Sequence, residues 1–163
     1  MCADSLTTAW TSWQEPVRSI SVGYKQRFYP DELNDFIARM QWAAEGQGNH
    51  NPQVVVTSPD QEAEHLPNDK SSRLRVKAGR QLHLDASQSS DPDGDALTFK
   101  WWQQPEIGGM LLTVGDADKS AAVIDIPADS QGKAFHIVCE VHDNGPFHLV
   151  AYRRVIVEVE NSL

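Results

Sequence analysis

The sequence predicts a mainly β protein: an immunoglobulin-like two-sheet β-sandwich of about 7–8 strands, preceded by one amphipathic helix. From residue 53 onward, apolar residues recur at every second position in short runs that Gly, Pro and Asp separate, as in sandwich strands. Before them, residues 30–44 repeat apolar side chains at helical spacing. We therefore divide the chain into residues 1–50, with a strap, the helix and a linker, and residues 51–163, the sandwich.

The helix is predicted over residues 30–44 because both of its ends carry signals. Pro30 suits a first helical position, and the acidic residues that follow it favour the helix dipole. Gly46 marks the end. The apolar face comprises Leu33, Phe36, Ile37 and Met40. Residues 1–28 show no clean periodicity, so we interpret them as a strap on the sandwich or as the end of an upstream domain.

Eight strand-like runs follow the helix. They are residues 54–57, 73–76, 81–85, 97–102, 110–114, 121–126, 135–142 and 150–158, and residues 58–72 form a polar loop. In the seventh run Phe135, Ile137, Cys139 and Val141 fall on one face, as core residues do. Trp101 stands where immunoglobulin-like sandwiches often bury a tryptophan. With only two cysteines, no disulfide is predicted, and Cys139 is expected to be a small buried hydrophobe.

The composition argues against several classes of function. A net charge of −9 disfavours partners that carry phosphates, both nucleic acids and anionic membranes. The N-terminus lacks the basic start and apolar run of a signal peptide, so either the chain is not exported by that route or it is a fragment of a longer exported protein. No nucleophile elbow, glycine-rich phosphate loop or zinc-ligand spacing occurs, so no catalytic site is predicted.

Two acidic loops predict a candidate metal site. Residues 90–96 and residues 143–146 follow strands whose ends meet in a sandwich. Their carboxylate and amide oxygens suit calcium, which prefers hard oxygen ligands in flexible loops. The alternative is that these side chains only cap turns through backbone amides. The candidate ligands are Asp91, Asp93, Asp95, Asp143 and Asn144.

Trp102 is the candidate for ligand binding. Neighbouring residues of a strand face opposite ways, so a buried Trp101 places Trp102 on the outer face, near Gln103 and Gln104. A flat indole beside amides can stack on the C–H-rich face of a sugar ring. The alternative is that the helix or the N-terminal strap covers Trp102.

Several segments together resemble one family. They include Leu84-Asp85-Ala86-Ser87, Asp91-Pro92-Asp93-Gly94-Asp95, Trp101-Trp102-Gln103-Gln104-Pro105-Glu106, Val141-His142-Asp143-Asn144-Gly145 and, upstream, Asn49-His50-Asn51-Pro52. From about residue 30 to residue 160, the chain is similar to the C-terminal domain of microbial cellulose-binding proteins that carry a nucleoside-hydrolase-like N-terminal domain.

The resemblance implies a non-catalytic carbohydrate-binding or accessory module of a larger protein. The implied partners are a cellulose-like polysaccharide and a nucleoside-hydrolase-like domain, and the parent protein is expected to be secreted or periplasmic. Hydrolase activity is not implied, because the chain lacks a strand followed by that enzyme's aspartate cluster. The alternative function is a structural scaffold that docks on the hydrolase-like domain.

Overall fold

A computed structural model describes the backbone of residues 4–61, 64–65, 71–104 and 106–161. Side chains are described for residues 22, 23, 25–61, 71–104 and 106–161. The elements are α1 (Asp4–Glu45), β1 (Glu64–His65), β2 (Ser72–Val76), β3 (Gln81–Asp85), β4 (Thr98–Gln103), β5 (Thr113–Gly115), β6 (Ala121–Asp125), β7 (Ala134–His142) and β8 (Val150–Val159). None of the helices in this described part is long and apolar enough to cross a membrane.

The strands form two sheets, in the orders β1-β2-β8-β7-β4 and β3-β6-β5. β8 is the central strand of the larger sheet and pairs antiparallel with β7 and parallel with β2, and β7 also pairs antiparallel with the edge strand β4. The mainly β, two-sheet, immunoglobulin-like class that the sequence predicts is confirmed. The period-two pattern identifies the strands well because each strand buries one face against the other sheet.

The core lies between the two sheets, and all its members come from residues 54–159. Trp101 is 2% exposed, as predicted, and its indole N–H donates to the Lys119 carbonyl at 2.9 Å. Alternate residues of β7 from Phe135 to Val141 are fully buried, also as predicted. Cys139 is among them with a free thiol, and burial, followed by the charge of Glu140, raises its pKa to about 12. Cys2 lies outside the described residues.

Residues 54–57 do not form the strand that their pattern predicts. Gln53 bridges Ser90 and Thr57 bridges Asp85, but no ladder connects the two bridges. Between them the Val55 N–H donates to the Ser89 hydroxyl at 3.1 Å instead of to a backbone carbonyl. The side chains still alternate between buried and exposed, because burial depends on side-chain direction and not on continuous pairing. The predicted loop over residues 58–72 contains the short β1.

The helix is longer than predicted, because α1 begins at Asp4 and not at Pro30. The predicted start of the helix at Pro30 is therefore wrong. The interpretation of residues 1–28 as a strap or as the end of an upstream domain stays a prediction. Pro30 lies inside the helix, where proline removes one hydrogen bond but does not always end the helix. The early part of α1 gave no signal because the helix has no continuous apolar stripe along its length. The end was predicted correctly: Gly46 follows with a φ of 71°.

α1 also presents an unexpected face to the sandwich. Phe28, Asp31 and Ala38 lie on the side towards the sheets, and Ala38 is only 1% exposed. The apolar residues of the predicted face point away from it and remain exposed. They are Leu33, Phe36, Ile37 and Met40, joined by Tyr29.

Candidate functional site

A cleft of about 290 Å³ lies between α1 and the larger sheet. Lys100 of β4 is paired in register with Glu140 of β7, which is paired with Tyr152 of β8, so the three side chains form a row across the sheet. The complete lining is Arg27, Asp31, Lys100, Trp102, Gln103, Glu140 and Tyr152. Two aromatic rings, cations, carboxylates and an amide thus surround one opening.

Glu140 organises the floor of the cleft. Its Oε2 accepts the Trp102 indole N–H at 3.0 Å, and its Oε1 lies 2.8 Å from Nε2 of His142. Nζ of Lys100 is 3.5 Å from the same Oε1. These contacts hold the Trp102 ring in one orientation, because the indole N–H has a charged acceptor.

Tyr152 connects the sheet to α1. Its hydroxyl donates a short hydrogen bond to Oδ2 of Asp31, and its ring packs edge-on against Phe28 with the centroids 5.4 Å apart. Burial, the hydrogen bond to Asp31 and the negative charge of that carboxylate all raise the pKa of Tyr152. The phenol therefore stays protonated and acts as a hydrogen-bond donor.

Trp102 is half-buried and not an open platform. The Arg27 guanidinium stands 4.6 Å from the centroid of its ring, and Phe28 packs against it at 6.4 Å with the rings tilted. Of the two interpretations of Trp102, partial cover by α1 is what the structure shows. The ring nevertheless borders the cleft. The sequence analysis left open cover by the helix or by the N-terminal strap, and the covering residues, Arg27 and Phe28, belong to α1.

Gln103 and Gln104, the two glutamines after Trp102, make different contacts, and only Gln103 lines the cleft with Trp102. The Gln103 amide group donates to the Met110 carbonyl at 2.7 Å and accepts from the Leu112 N–H at 2.7 Å, so it joins β4 to the following loop. The Gln104 N–H donates to the His136 carbonyl at 2.8 Å. Gln103 lines the cleft, whereas Gln104 is not among the lining residues described.

The two acidic loops meet at one end of the sandwich, but their side chains have different partners. Asn144 accepts the Ala96 N–H at 2.8 Å and links the loops. Asp93 accepts the His50 N–H at 2.7 Å, and this bond is the main reason that its pKa is lowered. Asp91 caps its own turn, because Oδ1 accepts from the N–H groups of Asp93 and Asp95.

Asp143 is the most deeply buried of the predicted ligands, at 3% exposure. Its Oδ1 accepts from the N–H groups of Gly145 and Leu149, and its Oδ2 accepts from Nδ2 of Asn49 at 2.8 Å.

Desolvation and the charges of Asp91, Asp143 and Asp93 raise the pKa of Asp95. Asn49 was interpreted only as part of a linker, although it belongs to the Asn49-His50-Asn51-Pro52 segment of the family resemblance.

Among the described residues, no three His, Cys, Asp or Glu side chains stand close enough together to hold a metal ion. The five predicted ligands therefore do not converge as one carboxylate cluster. The Asn49 amide bonds to one of the five, Asp143.

The two-sheet fold and a cleft with paired aromatic rings define a β-sandwich module with a candidate binding site. Residues 81–159 match the family model described as cellulose-binding protein Sde0182, C-terminal domain, and this match confirms the resemblance that the sequence motifs predict. The description names a cellulose-binding protein, of which the matched family is the C-terminal domain.

Solved structures also resemble parts of this chain. One is a nucleoside hydrolase-related hypothetical protein from Saccharophagus degradans that is associated with carbohydrate metabolism, with 35% identity and a TM-score of 0.72. The match covers 82% of this chain but only 32% of that protein, so the chain spans about a third of its length. A PKD domain from the KIAA 1837 protein is 20% identical over 62% of this chain and 89% of its own, with a TM-score of 0.41. The comparison with curated proteins finds no match.

Proposed function

We propose that this chain is a non-catalytic module that binds a cellulose-like polysaccharide, and that the cleft between α1 and the larger sheet receives the sugar. The observation that carries the proposal is the combination of Trp102 and Tyr152 with charged side chains around one opening. The family match to a cellulose-binding domain and the relative associated with carbohydrate metabolism support it.

The chemistry of the cleft suits a sugar ring. Aromatic faces pack on the C–H groups of a pyranose, and the cations, carboxylates and amide can exchange hydrogen bonds with its hydroxyls. The volume of about 290 Å³ is near the lower end of the range of small-molecule sites, roughly 300–1,000 Å³. Because Arg27 and Phe28 cover part of Trp102, the geometry favours one sugar residue or a chain end over a flat crystalline surface.

Depletion of the chain from solution by insoluble cellulose tests this function, with xylan, chitin and starch for comparison. Calorimetry with soluble cello-oligosaccharides gives the affinity. Trp102→Ala is expected to weaken binding by about tenfold or more, as loss of a central aromatic anchor does. Lys100→Ala is a second variant in the cleft: its side chain is exposed, so little effect on folding is expected.

Tyr29→Ala is the matched control, because this exposed aromatic lies on α1 but does not line the cleft. Saturable depletion on one polysaccharide, lost in Trp102→Ala and retained in Tyr29→Ala, is the expected result. If no polysaccharide depletes the unaltered chain, the binding function is wrong. If Trp102→Ala and Lys100→Ala both bind normally, the cleft is not the site.

The exposed apolar face of α1 favours a second function, as a scaffold for another domain. Soluble proteins rarely leave a contiguous row of large apolar side chains in water without a partner. Here Tyr29 and Phe36 are each 60% exposed and Met40 is 56% exposed, while the opposite face of the helix contacts the sheets. The occupant that we propose is a nucleoside-hydrolase-like domain, because the related protein is about three times as long and is nucleoside hydrolase-related.

A further inference from the structure

The residues that follow α1 fold back onto the acidic loops. The rings of Trp42 and His50 lie 4.7 Å apart, and His50 contacts Asp93 through both its backbone N–H and its ring. Nδ2 of Asn51 donates to the Val150 carbonyl at 3.1 Å. Asn49, which directly precedes these two residues, lies in the interior and is only 6% exposed.

Two oxygen atoms at this position have no hydrogen-bond partner among the described residues. Nδ2 of Asn49 donates to Asp143 and to the Pro146 carbonyl, which determines that the other end of the amide is the oxygen. That Oδ1 is buried and unpartnered, and so is Oδ2 of Asp91. Burying an acceptor without a partner is unfavourable, so these two oxygens favour a site for a positively charged ligand.

Asp95 brings a further carboxylate to the same place. The point where a Cβ on Gly145 would stand lies 2.8 Å from Oδ1 of Asn49 and in close contact with Oδ2 of Asp95. Because residue 145 has no side chain, these two oxygens can approach each other there. Oδ1 of Asp91 accepts the Asp95 N–H at 3.2 Å, so the carboxylates of Asp91 and Asp95 belong to one turn.

We propose that a calcium ion binds here, with Oδ1 of Asn49 and the Asp95 carboxylate, which meet beside Gly145, and Oδ2 of Asp91, from the same turn as Asp95, as its protein ligands. Calcium accepts carboxylate and amide oxygens in irregular arrangements and completes its shell with water, whereas magnesium requires a near-ideal octahedron. Asp143 holds the Asn49 amide in place. The set differs from the sequence prediction, because Asn49 enters it while Asp93 and Asn144 are engaged by His50 and Ala96.

Calorimetric titration of the whole chain with CaCl2 after removal of divalent ions tests the site, and MgCl2 is titrated for comparison. Asp91→Asn keeps the Oδ1 atom that caps the turn but replaces the ligand oxygen by an amide nitrogen. It is expected to weaken calcium binding by about tenfold or more and to abolish the calcium-dependent rise in Tm. Asp95→Asn removes the charge of another proposed ligand and is likewise expected to weaken calcium binding. It replaces Asp91→Asn in the test if that variant does not fold.

Asp129→Asn is the matched control: it removes one negative charge from an exposed turn outside the acidic loops. One saturable calcium site in the unaltered chain and in Asp129→Asn, weakened in Asp91→Asn, is the expected result. Absence of calcium heat and an identical Tm in calcium and chelator would overturn the proposal. An equal Tm rise in all three proteins, or with magnesium, would also overturn it, because screening of the net charge of −9 would then explain the effect. The titration contains no sugar, so its result is independent of the polysaccharide proposal.

Discussion

Gln103 shows how a residue beside the cleft can serve the fold as well as the site. Its side-chain amide satisfies both a carbonyl and an N–H of the loop after β4, at Met110 and Leu112. Gly108 in the same loop has a φ of 96° and passes against the Phe135 ring so closely that a Cβ would collide with it. Gln103 therefore anchors this loop to β4, and the backbone at Gly108 has no room to move inward.

Gln103→Ala is expected to lower the free energy of unfolding by about 2 kcal/mol, because two half-buried backbone groups lose their partner. Urea unfolding measures the change. Gln88→Ala, at an exposed turn position, is the control and is expected to change stability by less than about 0.5 kcal/mol. If the two variants are equally stable, the Gln103 amide does not brace the loop, and its role as a sugar ligand becomes the stronger interpretation.

α1 is the element whose placement determines the site. Arg27, Phe28 and Asp31 reach the larger sheet, while the residues after Glu45 reach the acidic loops. The proposed sugar site lies beside β4, and the proposed calcium site lies at the loop that precedes β4. The helix contributes residues to the first site, and the segment after the helix contributes Asn49 to the second. Pro30 lies within the first of these attachments, between Phe28 and Asp31, and cannot donate to the carbonyl one turn earlier.

Pro30→Ala is expected to increase protection of the neighbouring α1 amides against hydrogen exchange, because proline is about 3 kcal/mol less favourable than alanine inside a helix. Lys25→Ala, at another exposed helical position, is the control and is expected to change protection little. A helix that began at Pro30 would respond in the opposite sense, since proline is favoured at a first helical position. Unchanged or reduced protection in Pro30→Ala would therefore contradict a helix that starts at Asp4.

At the scale of the whole molecule, the buried core that the structure describes is formed by the sandwich, and α1 packs outside it. Among the side chains that the structure describes, every member of the buried core cluster comes from residues 54–159, and none comes from α1. The described part of α1 contacts the sheets through a few side chains and exposes the apolar row that includes Tyr29, Phe36 and Met40. This arrangement fits a module that packs a sandwich by itself and offers the outer face of its helix to a further domain. The division of the chain near residue 50 remains a prediction.

Docking is tested by mixing the chain with the separately produced remainder of the related Saccharophagus degradans protein and measuring complex formation by sedimentation. Phe36→Glu is expected to abolish the complex, because it places a charge in the apolar row. Lys25→Glu, elsewhere on the exposed surface of α1, is the control and is expected to leave the complex intact. No complex with the unaltered chain, or equal binding by Phe36→Glu, would remove this face from the docking function.

The sequence by itself determined the sandwich, because alternation in β3, β6 and β7 directly reflects which side chains are buried between the sheets. It also determined the buried Trp101 and the end of the helix at Gly46, since these depend on local spacing and backbone freedom. Only the tertiary structure decided the length and orientation of α1, the cover over Trp102 and the entry of Asn49 among the aspartates. Those features arise from contacts between segments far apart in the chain, and local periodicity contains no information about them.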